Sequence, residues 1–154
     1  MEDQIVFIII PVVLIILPLL WIGTVKLISL FGWSKFTSDR MMATEPPPDA
    51  EKFTLQTVKL GSFGKYEHSM SGWVHHSGLY LRPIWLFRIG HPLITLNWDD
   101  IIHFSEQKIV RLRIYTIKFR TELPEIRLYN RLGTAAYKAW AENSRHAQPM
   151  NKGS

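Results

Sequence analysis

Residues 5–25 read IVFIIIPVVLIILPLLWIGTV, 21 positions without a charged side chain. At about 1.5 Å per residue, a helix of this length covers roughly 30 Å, the thickness of a bilayer's hydrocarbon core. The stretch divides the chain into a membrane anchor and one small remaining domain. It does not read as a cleaved signal peptide. Its start, Met1-Glu2-Asp3-Gln4, is acidic, its apolar run is too long, and Trp21-Ile22-Gly23-Thr24 is a poor cleavage site. Pro11 and Pro18 lie inside the run, where lipid-embedded helices tolerate proline, and they predict a bent helix. No ionisable group interrupts the span, which argues against transport or proton relay.

Flanking charge sets the orientation. Lys26, Lys35 and Arg40 follow the span, whereas Glu2 and Asp3 precede it. The positive-inside rule then places the bulk of the chain in the cytoplasm, on a single-pass anchor whose amino terminus lies outside. Trp21 and Trp33 suit the interfacial level. Leu27, Ile28, Leu30, Phe31 and Trp33 continue the apolar pattern, so residues 1–36 read as an anchor plus an interfacial extension.

Composition narrows the chemistry. The 154-residue chain has no cysteine, which excludes disulfides, thiolate metal sites and cysteine nucleophiles. From Glu51 onward, fifteen Lys and Arg stand against eight Asp and Glu. A basic domain tethered to a membrane most simply faces anionic headgroups, although the same excess can be an ordinary solvated surface.

Residues 37–51 read as a linker, because Pro46-Pro47-Pro48 favours an extended polyproline II spacer. Residues 52–146 read as a β domain closed by a helix. Period-two alternation and β-branched or aromatic residues recur between turn signals at Gly61-Ser62-Phe63-Gly64, His75-His76-Ser77-Gly78 and Gly90-His91-Pro92. Residues 108–121 read as the longest strand, with a bulge near Tyr115-Thr116 to reconcile its two apolar phases. Leu132, Ala135, Ala136, Ala139 and Trp140 give the last helix an apolar stripe, and Trp140 could plug one end of a barrel. Residues 147–154 read as a disordered tail. The expected fold class is mainly β (α+β): a transmembrane helix, then a PH-like antiparallel sheet or barrel of about seven strands capped by one carboxyl-terminal helix.

One segment is more specific. Gly78-Leu79-Tyr80-Leu81-Arg82-Pro83, then Phe87-Arg88-Ile89-Gly90-His91-Pro92-Leu93-Ile94, then Trp98-Asp99-Asp100-Ile101 resembles a pattern in small bacterial membrane-anchored proteins of unknown function. Those proteins carry a G-L-Y-L … F-R-x-G-H-P-P-L … I-P-W-x-x-I run. Here Leu93 replaces the common second proline, and Leu96-Asn97 replace Ile-Pro. The resemblance implies a membrane-linked, PH- or GRAM-like domain and brings no activity with it.

Candidate chemistry is sparse. His75, His76 and His91 lack the convergent spacing of a zinc site, since adjacent histidines in a strand or turn normally diverge, so no metal is expected. Asp99-Asp100 could be paired carboxylates, but adjacent acids more often serve a turn and solvent. No nucleophile, phosphate-loop or nucleic-acid motif is found, and no cofactor is expected. The candidate binding residues are Arg82, Trp85, Arg88, His91, Arg111, Arg113 and Lys118. Arg111 and Arg113 are expected on one strand face, where guanidinium groups can clasp phosphates. Residues 80–87 mix aromatics with arginine, which suits a protein partner or the lipid interface. The expectation is a non-catalytic domain at the cytoplasmic membrane face that binds anionic lipid headgroups or a membrane protein. The alternatives are an accessory subunit that docks through its anchor, and an enzyme with a polar pocket at Asp99 or His91.

Overall fold

The computed structural model describes residues 2–31, 33–36, 45–62 and 64–147. Helix α1 (Glu2–Phe31) runs unbroken through Pro11 and Pro18. Its segment Ile9–Leu27 is long and apolar enough to cross a membrane, and among the described residues no other helix is. Large side chains such as Leu14, Leu17 and Leu20 stand exposed along it.

The rest forms seven strands: β1 (Glu51–Leu60), β2 (Gly64–His75), β3 (Gly78–Pro83), β4 (Ile94–Asn97), β5 (Ile101–Ile109), β6 (Leu112–Phe119) and β7 (Ile126–Tyr129), followed by helix α2 (Asn130–Ala147). All pair antiparallel in one curled sheet of order β4-β3-β2-β1-β7-β6-β5. A mainly β, PH-like arrangement with one closing helix is what the alternation and the carboxyl-terminal stripe call for.

Strand β1 shows how the sequence sets the core. Phe53 is buried, and so are Val58 and Leu60, although a straight strand would put them on opposite faces. Register shifts between Phe53 and Val58 correct the parity, and Leu55, at φ 55°, is the residue turned outward. The strand expected over residues 108–121 is instead a hairpin. Ile109 pairs with Leu112 across a turn at Val110 and Arg111, and no register shift falls at Tyr115-Thr116. The shift in this pair lies between Ile101 and His103. Tyr115, Ile117 and Phe119 therefore share one buried face. Arg111 belongs to the turn and does not share a strand face with Arg113.

Helix α2 lies on the concave face. Leu132 and Ala136 are fully buried, and Tyr137 and Trp140 cover Phe104, with ring centroids at 5.3 and 5.5 Å. Trp140 is thus a half-buried lid over one aromatic cluster. Two glycines permit the close approach. A Cβ at Gly72 would lie 2.6 Å from Leu132 Cδ1, and one at Gly133 would collide with the Tyr115 ring.

The segment after α1 packs into the β domain. Trp33 and Phe36, on a short 3-10 turn (Trp33–Phe36), are fully buried in the β domain's core. Trp33 Nε1 donates to Pro92 O at 3.0 Å. The expected proline spacer also differs at its described end. Pro48 and Asp49 form a turn in which Ala50 N–H donates to Pro47 O at 3.2 Å, and β1 begins at Glu51. Residues 37–44 of the spacer, and the expected tail beyond Ala147, lie outside the described residues.

Antiparallel pairing gives the domain two distinct ends. The first holds the end of β1, the start of β2, the end of β3, and the starts of β4, β5 and β7. Helix α1 and the Trp33–Phe36 turn meet this end. The second holds the start of β1, the end of β2, and the tip of the β5–β6 hairpin. With about 3.3 Å per strand residue, the ten-residue β1 runs roughly 30 Å from one end to the other.

Candidate functional site

The segment from Arg82 to Leu93 is built by backbone restrictions at its two prolines. Pro83 ends β3, and a single 3-10 turn (Trp85–Phe87) follows, with Phe87 N–H donating to Ile84 O at 2.9 Å. A further turn places Gly90 at φ 78° and returns the chain to β4. Buried Leu93 anchors the return beside Trp73 and Tyr80 on the outer face of β2 and β3. The loop crest is left apolar and exposed: Trp85 is 75% exposed, with Leu86 and Ile89 beside it.

This crest docks on α1. Trp21 Nε1 lies 3.4 Å from Leu86 O, and the Trp21 and Phe87 rings are 5.3 Å apart. An apolar groove of about 810 Å³ runs between them, lined by Leu17, Leu20, Trp21, Trp85, Leu86 and Ile89 among others. Two guanidinium groups belong to the same loop segment. Arg82 lies over the Trp73 ring at 5.6 Å, and its Nε is buried with no hydrogen-bond partner. Burial, and then the positive charge of Arg88, hold Arg82 below the usual guanidinium range, with Glu45 opposing. Among the described residues, neither Arg82 nor Arg88 forms a salt bridge.

His91 locks the loop. Its side chain is buried, with Nε2 3.2 Å from the Tyr66 hydroxyl and Nδ1 3.1 Å from Ile89 O. The carbonyl can only accept, so Nδ1 carries the proton and Nε2 accepts from Tyr66 O–H. Trp33 packs edge-on against both rings. Burial lowers the His91 pKa, with the Ile89 carbonyl opposing, and burial pushes Tyr66 up to about 12. His91 thus serves the loop's architecture, with both ring nitrogens engaged.

The sequence-derived set is therefore split. Arg82, Trp85, Arg88 and His91 gather at the α1 end. Lys118, exposed on β6 beside Phe119, points to the same end, because Phe119 touches Phe36. Arg111 and Arg113 sit at the opposite end. There they line a groove of about 660 Å³ between the β5–β6 hairpin and α2, with Arg131, Lys138, Glu51 and Glu142. Arg113 is partly engaged, its Nη1 3.8 Å from Glu106 Oε1.

Sequence reading missed one grouping. At this second end Asp49, His75 and His76 each offer a ligand atom within 4.8 Å of the others. The two histidine rings, expected to diverge, lie with centroids 3.7 Å apart and planes tilted by 46°. Spacing along the chain could not reveal Asp49, which the Pro47–Ala50 turn delivers from 26 residues away. No protein-family model and no curated protein matches the sequence.

Proposed function

We propose that this chain is a single-pass, membrane-anchored, non-catalytic PH-like domain whose loop end rests on the cytoplasmic leaflet and holds anionic lipid headgroups. One observation carries the reading: an apolar crest docked on the anchor helix, on a loop whose two arginines form no salt bridge among the described residues. Taking Trp21 as the interfacial residue leaves residues 5–20, about 24 Å of helix, in the hydrocarbon, a few ångströms short of an average bilayer and matched by local thinning. Trp85, Leu86 and Ile89 then lie at the acyl–headgroup boundary, where an apolar body beneath polar chemistry is favoured. Arg82, Arg88, Lys26 and Lys35 sit at headgroup level, each contributing about 1 kcal/mol toward an anionic surface. The fork of a guanidinium group matches a phosphodiester.

The test is lipid retention by the full chain, extracted in mild detergent and read by native mass spectrometry. Wild type is expected to keep phosphatidylglycerol over phosphatidylcholine. Arg82→Gln with Arg88→Gln should weaken retention by about 2 kcal/mol, roughly 30-fold. Arg111→Gln with Arg113→Gln should leave it unchanged. Equal retention in all three proteins would remove the reading.

A second reading is favoured by the opposite end. Ile109, Val110 and Leu112 are exposed at the hairpin tip, Val110 86% so, beside a basic groove that faces away from the bilayer in this placement. This suits a protein partner held above the membrane. Val110→Glu should strip a co-purifying protein while leaving lipid retention intact. An unchanged protein complement in that variant removes the second reading.

A further inference from the structure

We propose that Asp49, His75 and His76 form a binding site for a divalent transition-metal ion of the zinc class. The site lies at the end of the domain opposite α1, so it is independent of the lipid-facing loop. Its ligand set, two imidazoles and a carboxylate, is the nitrogen–oxygen mixture that zinc takes, with one coordination position left open. Tetrahedral zinc with bonds of about 2.0–2.1 Å holds its ligand atoms roughly 3.3 Å apart. His75 Nε2 and Asp49 Oδ2 are already 3.1 Å apart, and all three ligand atoms lie within 4.8 Å of one another. Asp49 and His76 are exposed and can close the remaining gap by side-chain rotation.

His75 is the fixed member. Its side chain is only 10% exposed, and its backbone carbonyl accepts from Trp98 Nε1 at 2.9 Å. Its Nδ1 lies 2.7 Å from Ser77 Oγ, which lies 3.0 Å from the hydroxyl of buried Tyr80. A metal on Nε2 needs the ring proton on Nδ1, and Ser77 Oγ stands where it would accept that proton. This is the outer contact that orients a ligating imidazole. Without a metal the other tautomer serves. Nε2–H then donates to Asp49, and Nδ1 accepts from Ser77, whose backbone nitrogen lies 3.3 Å away. Moving the proton to Nδ1 exchanges the bond accepted from Ser77 N–H for one donated to Ser77 Oγ, so metal binding turns the ring slightly off that backbone N–H.

The surroundings favour a cation. Glu51 and Glu142 line the same cavity of about 440 Å³ as Asp49, and no Lys or Arg lines it. Asp49, Glu51 and Glu142 thus share one cavity, and Glu51 and Glu142 also line the neighbouring basic groove. The open coordination position falls to water or to one of these carboxylates.

The experiment is a zinc titration of the untagged full chain in detergent micelles, read by calorimetry and by thermal unfolding, with magnesium as the control ion. Wild type is expected to bind one Zn²⁺ per chain, with roughly micromolar or tighter affinity. Zinc should raise its Tm, and magnesium should not. Asp49→Ala and His76→Ala should each weaken binding at least tenfold and cancel the Tm rise. Both residues are exposed, so both variants should unfold like wild type without zinc. The absence of saturable one-to-one binding overturns the proposal. So do variants that bind as wild type does, or magnesium that competes as well as zinc.

Discussion

His91 is the residue on which the loop end turns. Its neutral ring accepts from Tyr66 and donates to the Ile89 carbonyl, while Trp33 packs against it. Burial lowers its pKa below the ordinary value of about 6.5, so the unfolded chain binds a proton more readily than the folded one. Stability from this group is fully present above that value and is lost as pH falls through it. We predict that Tm falls as pH drops below about 6.5, and that His91→Gln flattens part of this slope. An identical pH slope in both proteins, measured by thermal unfolding, would show that His91 is not responsible. The sequence marked His91 as a turn residue before Pro92 and as a candidate for binding. It could not name Tyr66 or Trp33 as partners, since they come from 25 and 58 residues away. The misreading of Trp33 has the same root. An aromatic residue soon after an apolar helix suits a bilayer interface and a protein core equally well, and only the contact with Pro92 decides between them.

At the scale of the element, α2 and its glycines carry the clearest test. Alanine at Gly133 gains about 1 kcal/mol in helix propensity, but its Cβ meets the Tyr115 ring. Tyr115 is 1% exposed and is tied by its hydroxyl to Glu106 and Thr134, so it cannot give way cheaply. Overpacking of this kind costs typically 1–3 kcal/mol. We predict that Gly133→Ala lowers stability by about 1 kcal/mol net, read from chemical denaturation. A stabilised variant would mean that α2 does not sit this close to the sheet. Much at this scale was legible beforehand. The α2 stripe follows its 3.6-residue period, and the phase change along β1 is the mark of the register shifts seen there. The β5–β6 turn was not legible. It contains Val110 and Arg111 where Gly or Asn would be expected, and Val110 adopts a φ of 53° that β-branched residues rarely take. With no turn signal, two strands read as one, and the parity change looked like a bulge.

For the whole molecule, the decisive feature is polarity from end to end. An apolar helix and an apolar loop crest share one end, while a basic groove and the Asp49-His75-His76 cluster share the other. The sequence supplied the anchor and the excess of arginine, but it could not sort the arginines, because Arg88 and Arg111 become opposites only once the strands pair. The chain contains no cysteine, so single reporters can be placed without background. Leu86→Cys and Val110→Cys, each spin-labelled in the full chain in liposomes, are to be read by accessibility to oxygen and to a water-soluble nickel complex. We predict that the Leu86 label favours oxygen, as in lipid, and that the Val110 label favours the nickel complex, as in water. Equal aqueous exposure of both labels, or the reverse pattern, would contradict a domain that meets the bilayer through its loop end.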